Sequence, residues 1–169
     1  MIPIYEPYFS GNEKKYLMDC IDSGWVSSQG TYVTEFEDKF RAYHGMKYGI
    51  ATSNCTTALH LALKAYKIGH GDEVICPALT FIAPANMVQL SGAKLVLVDI
   101  DKDTLNINPQ IIKSKINSKT RAIIAVHQFG HSCPMNEIKD ICADNDLILI
   151  EDNAESLGGY YRNQMLGTI

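Results

Sequence analysis

Short, nearly unbroken apolar runs alternate with stretches of helical periodicity along most of this chain. Val74-Ile75, Leu95-Val96-Leu97-Val98, Ile123-Ile124-Ala125-Val126 and Leu147-Ile148-Leu149-Ile150 are the clearest runs. They predict strands over Tyr48–Thr52, Glu73–Cys76, Lys94–Val98, Ala122–Val126 and Leu147–Ile150. Between them the spacing predicts helices over Thr56–Tyr66, Ala83–Leu90, Pro109–Ile116 and Met135–Asp144. Strands without polar alternation belong to a sheet covered on both faces. Strand and helix taking turns argues for an α/β fold, a three-layer αβα arrangement around a mostly parallel sheet.

The first 46 residues read differently. Tyr16, Leu17, Cys20 and Ile21 form one stripe in a helix over Asn12–Ser23, and Gly24 is its stop signal. Val33, Phe36, Glu37 and Phe40 repeat at helical spacing up to His44-Gly45. A polar loop, Gly24 to Gly30, joins the two and carries the single tryptophan, Trp25. The expected division is a helical segment, 1–46, followed by part of a large α/β domain, 47–169.

Composition narrows the function class. Of the 169 residues 46% are apolar and 20% charged, which suits a globular domain. A net charge of −4 speaks against a nucleic-acid surface. No run reaches the roughly 18 apolar residues a membrane helix needs. Five cysteines without a CxxC pair, and no apolar leader at the N-terminus, fit reduced thiols in the cytoplasm.

Ligands of open α/β sheets gather outside the carboxyl ends of the strands. Ser53 to Thr57, Pro77 to Phe81, Asp99, His127 to Gly130 and Asp152 to Glu155 fall there. Ser53-Asn54-Cys55-Thr56-Thr57 opens a helix, where unpaired N–H groups and the helix dipole suit a phosphate. Plain helix capping is the commoner use of such residues. Asp152 ends the apolar run from Leu147, and a carboxylate there suits a protonated pyridine nitrogen; a turn cap is the alternative. Glu151, next to it, should point the other way. Phe81 suits stacking on a flat ring, although an aromatic at such a place is more often core. Together these features read as a pyridoxal 5'-phosphate site.

Other chemistry is weaker. His127, His131 and Cys133 have metal-like spacing but no fourth ligand nearby, so no metal site is expected. Asp99, Asp101 and Asp103 begin like a calcium loop, but Thr104 stands where its glycine belongs. There is no P-loop, no GxGxxG and no GxSxG elbow.

Seven segments in order carry a family resemblance: IPIYEPYFSGNEKKY, DSGWVSSQGTYVTEFEDKF, SNCTTALHLAL, GDEVICPALTFIAPANMV, GAKLVLVDID, VHQFGH and IEDNAESLG. They resemble the DegT/DnrJ/EryC1/StrS sugar aminotransferases, fold type I pyridoxal phosphate enzymes. The resemblance implies that Thr56 and Thr57 hold the cofactor phosphate and that Phe81 stacks on the ring. It also implies that Asp152 meets the ring nitrogen and that Glu155 lies near the phenolic oxygen. Cys55 stands where many relatives have glycine. The Schiff-base lysine and the C-terminal small domain are expected beyond Ile169, so no catalytic residue is assigned within 1–169. This stretch alone is expected to be inactive.

The implied reaction moves an amino group from glutamate to a nucleotide-linked 4-keto-6-deoxy sugar, in a homodimer. Trp25, Ser27 and Ser28 are candidates for contact with that sugar nucleotide. Two alternatives stay open. One is a pyridoxamine-dependent sugar dehydratase of the same family, with histidine in place of the lysine. The other is a non-catalytic protein that binds cofactor or a partner.

Overall fold

A computed structural model describes residues 2, 3 and 6–169. The chain divides into two compact units, Met1–Ala51 and Thr52–Ile169.

The first unit holds α1 (Glu13–Ser23) and α2 (Thr31–Tyr43). Gly24 adopts φ 75° after α1 and returns its N–H to the carbonyl of Ile21, a left-handed stop that glycine makes without strain. Tyr16 and Tyr32 pack with ring centroids 5.0 Å apart and planes tilted by 54°, and the Tyr32 hydroxyl donates to Oδ2 of Asp19 at 2.8 Å. The predicted strand over Tyr48–Thr52 does not form. A strand exists only through a partner ladder, and none pairs with this segment among the described residues. Instead, the N–H of Ala51 donates to Oε1 of Glu37 at 2.8 Å.

The second unit is built on four strands: β1 (Glu73–Pro77), β2 (Lys94–Val98), β3 (Thr120–Val126) and β4 (Ile148–Asp152). They lie in the order β2-β1-β3-β4, and every pairing is parallel. Four helices connect or flank them: α3 (Cys55–Ala65), α4 (Ala83–Ser91), α5 (Pro109–Lys115) and α6 (Met135–Asp144). A small antiparallel hairpin, β5 (Tyr160–Tyr161) with β6 (Gln164–Met165), follows β4; its runs are too short to register as strands in the sequence.

Side-chain alternation sorts the strand residues into two cores, one on each face of the sheet. Val74, Cys76, Ala122, Ile124, Val126 and Ile150 pack with Leu59 and Leu63 of α3 and Val88 of α4. Ile75, Ile123 and Ala125 pack on the other face with Ile112 of α5 and Ile138 and Ile141 of α6. Burial on both sides is the physical reason for the unbroken apolar runs. The same alternation sends Asp152, in step with Ile150, toward the α3 face. Glu151, in step with Leu149, goes to the α5–α6 face, as the sequence predicted.

Candidate cofactor site

Helix α3 begins where a polar segment meets an apolar stripe, since Leu59 and Leu63 are its buried face and Asn54 is its cap. Oδ1 of Asn54 accepts the N–H of Thr57 at 2.9 Å, and its carbonyl accepts the Thr57 hydroxyl at 2.8 Å. The hydroxyls of Ser53 and Thr57 lie 3.2 Å apart. Capping therefore uses Asn54 and Thr57. Among the described residues nothing pairs with the N–H groups of Cys55 and Thr56 or with the Thr56 hydroxyl. These are free donors at the positive end of a helix, the arrangement a phosphate takes.

Asp152 is the last residue of β4, in register with Val126 of β3, and is only 5% exposed. Its main-chain carbonyl accepts the N–H of His127 at 3.1 Å, which extends the ladder past the strand end. Its Oδ1 accepts the N–H of Ala154 at 3.1 Å and lies 3.6 Å from Sγ of Cys55. The Cys55 contact spans 97 positions of sequence and brings the start of α3 to the end of β4. Phosphate-type donors and a buried carboxylate thus share one edge of the sheet. Burial first, and the Asp152 charge second, push the Cys55 thiol up to about 11. The thiol of Cys76, in β1, is pushed up to about 12 by the same two causes.

Phe81 follows β1 and is 68% exposed, so its ring is a surface feature of the carboxyl edge and not part of either core. Beside it, the buried Thr80 hydroxyl has no hydrogen-bond partner among the described residues. Glu155 stands in the turn after β4, where its Oε2 accepts the N–H of Phe129 at 2.7 Å. Phe129 sits at φ 53°, ψ 29°, in the left-handed region that non-glycine residues rarely adopt. Free N–H donors, an orphaned hydroxyl, an exposed ring and a carboxylate whose Oδ2 has no partner among the described residues fit pyridoxal phosphate's phosphate, ring face and ring nitrogen.

Trp25, Ser27 and Ser28 belong to the other compact unit and are exposed there, with the tryptophan 56% accessible. His127 and Cys133 are committed elsewhere. Nδ1 of His127 accepts the N–H of Cys133 at 3.0 Å, and Nε2 faces Oε2 of Glu151 at 3.2 Å. The Glu151–His127 pair and the Phe129–Glu155 tie escape sequence reasoning, because both depend on which strand ends become neighbours. Lys94, at the amino end of β2, pairs with Glu73 at 2.7 Å.

GDP-perosamine synthase of Vibrio cholerae is 45% identical over 168 residues, which is 99% of this chain and 46% of that protein. The chain spans about half the length of the curated relatives it matches. Among solved structures, an aminotransferase from Psychrobacter cryohalolentis superimposes with a TM-score of 0.91 at 36% identity, covering 95% of this chain and 41% of that one. GDP-4-keto-6-deoxymannose-3-dehydratase, holding a trapped PLP-glutamate geminal diamine, gives 0.89 at 32% identity, with 98% and 44% covered. The family model spans residues 7–169, and the chain belongs to the DegT/DnrJ/EryC1/StrS aminotransferase family.

Proposed function

We propose that the protein containing this chain is a pyridoxal phosphate-dependent aminotransferase that uses glutamate to aminate a nucleotide-linked 4-keto-6-deoxy sugar. The observation that carries the reading is the meeting of Cys55 and Asp152, which sets the free N–H groups of α3 beside a buried carboxylate. The name of the Vibrio cholerae relative supports a GDP-linked sugar and a perosamine-type product.

In this reading the N–H groups of Cys55 and Thr56, with the Thr56 hydroxyl, donate to the cofactor phosphate. The Thr57 hydroxyl joins them by turning away from the Asn54 carbonyl. Phe81 covers one face of the ring and excludes water from it. Oδ2 of Asp152 accepts the ring N–H and keeps that nitrogen protonated, while Glu155 lies toward the phenolic oxygen. When bound, pyridoxal phosphate supplies an electron sink for charge developing at the carbon that loses its proton. The group that carries this proton is assigned to the protein outside residues 1–169. Trp25, Ser27 and Ser28 are proposed to meet the sugar nucleotide, and a homodimer is the proposed assembly.

The dehydratase neighbour, at a TM-score of 0.89, supports a second reading, loss of water from the same class of sugar. One experiment separates the two. The intact protein is given pyridoxal phosphate, glutamate and GDP-4-keto-6-deoxymannose, and the sugar product is weighed by mass spectrometry. An amino sugar formed in step with 2-oxoglutarate supports transamination. A deoxy-keto sugar without nitrogen supports dehydration, and an unchanged sugar with no cofactor bound overturns both.

A further inference from the structure

We propose that Cys55 is a positioning residue of this site: its thiol donates to Oδ1 of Asp152 and turns Oδ2 toward the ring nitrogen of the cofactor. The inference rests on the assignment of Asp152 to that nitrogen. Two donors converge on Oδ1 from different elements, Sγ of Cys55 at 3.6 Å from the start of α3 and the N–H of Ala154 at 3.1 Å from the turn after β4. The terminal torsion of an aspartate is broad and nearly two-fold. One donor leaves the carboxylate plane free to swing, whereas two on the same oxygen fix which oxygen points outward. Among the described residues Oδ2 has no donor of its own.

Cys55 also lies at the phosphate end of the site, because its main-chain N–H is one of the two free donors of the first turn. A single residue thereby ties the phosphate cradle to the ring-nitrogen carboxylate and sets the span between them. Glycine at this place keeps the N–H but leaves Oδ1 to Ala154 alone.

The thiol must stay protonated to act as a donor. Cysteines at helix N-termini usually ionise more readily than free thiols. This one is held the other way, with its pKa pushed up to about 11 by burial and then by the Asp152 charge. Held up in this way, the thiol serves as a hydrogen-bond donor at neutral pH.

The test has two independent readouts on the intact protein. First, iodoacetamide modification of the cofactor-free protein is followed peptide by peptide in the mass spectrometer between about pH 7 and pH 9. A thiol raised by two pKa steps contains about 100-fold less thiolate than an unperturbed one over that range. Cys55 should react correspondingly slowly, and Asp152→Asn should speed it in part, since burial, the larger cause, remains. Second, pyridoxal phosphate affinity is measured by fluorescence titration. Cys55→Ala should weaken binding by about threefold to tenfold, the worth of one hydrogen bond, and Cys55→Ser should restore most of the loss.

A Cys55 that reacts like a free thiol in both backgrounds overturns the proposal, as does a Cys55→Ala protein that binds cofactor like the parent. If Asp152→Asn alters the thiol's reactivity yet leaves cofactor affinity untouched, the thiol contact stands. In that case the assignment of Asp152 fails, and the positioning role falls with it.

Discussion

Nε2 of His127 lies 3.2 Å from Oε2 of Glu151, across the carboxyl ends of β3 and β4 and with the imidazole fully buried. The N–H of Cys133 donates to Nδ1, so the ring proton sits on Nε2 and is directed at the carboxylate. Glu151 also accepts the N–H groups of Gly167 at 2.9 Å and Ile169 at 2.7 Å. One carboxylate therefore clamps the segment after the β5–β6 hairpin to the floor of the sheet, on the face opposite Asp152.

That clamp predicts acid sensitivity. Burial pushes the Glu151 carboxyl up, but His127 and the two main-chain donors outweigh it, and the net shift is downward. A carboxyl with a depressed folded pKa contributes stability that is full above the unfolded value of about 4.3. The contribution fades as the pH falls through the folded value. Glu151→Gln keeps one acceptor oxygen of two and should cost about 1–3 kcal/mol at neutral pH. The deficit should shrink on acidification below about pH 4. Thermal melts of parent and variant across that range check it; a deficit independent of pH would assign the role to shape alone.

A second prediction separates capping from phosphate binding at the start of α3. Asn54→Ala removes the acceptor for the Thr57 N–H and should lower stability by about 0.5–2 kcal/mol. Thr56→Val keeps the size of the side chain and the helix but deletes the free hydroxyl. It should leave the melting temperature within about a degree or two and weaken pyridoxal phosphate binding by roughly tenfold. Calorimetry and cofactor titration on the same two variants decide it. Equal cofactor affinity in Thr56→Val would remove that hydroxyl from the cradle.

Much of this was legible in the chain because the physics was local. The αβα sheet follows from runs such as Leu95–Val98 and Ile123–Val126, whose lack of alternation demands cover on both faces. The start of α3 was readable because Asn54 and Thr57 cap it in the usual way. The opposite facing of Glu151 and Asp152 follows from the period of a strand. The segment over Tyr48–Thr52 has a strand's composition, but pairing is not a local property, and Glu37 takes the Ala51 N–H instead. The partners of His127 and Phe129 lie 24 and 26 positions away, and only the strand order brings them together.

Asp152→Asn is the sharpest test of the proposed chemistry. The amide keeps an oxygen for Ala154 and nearly the same volume, so the fold should hold and circular dichroism should not change. What it loses is the charge that keeps a pyridine nitrogen protonated. Turnover of the intact protein should fall by at least about 100-fold, the scale on which a preorganised electrostatic group acts, with glutamate KM little altered. A variant with parental turnover would take Asp152 out of the site.

Phe129 gives the last prediction, in which local strain and the site meet. Its left-handed backbone costs about 1–2 kcal/mol for a residue with a Cβ. The ring is 68% exposed, so little apolar burial compensates. What holds it is the 2.7 Å bond from its N–H to Oε2 of Glu155, the carboxylate proposed to face the phenolic oxygen. Phe129→Gly should relieve the strain, keep that N–H, and raise the urea midpoint by the equivalent of up to about 1 kcal/mol. Glu155→Ala should do the reverse, lowering stability by about 0.5–1.5 kcal/mol and freeing the loop. In the double variant the glycine should gain clearly less than it does in the parent, because without the Glu155 bond the freed loop has already shed the strain. Simple additivity of the two effects would show that bond and backbone are not coupled, and Glu155 would then be held by the turn after β4 alone.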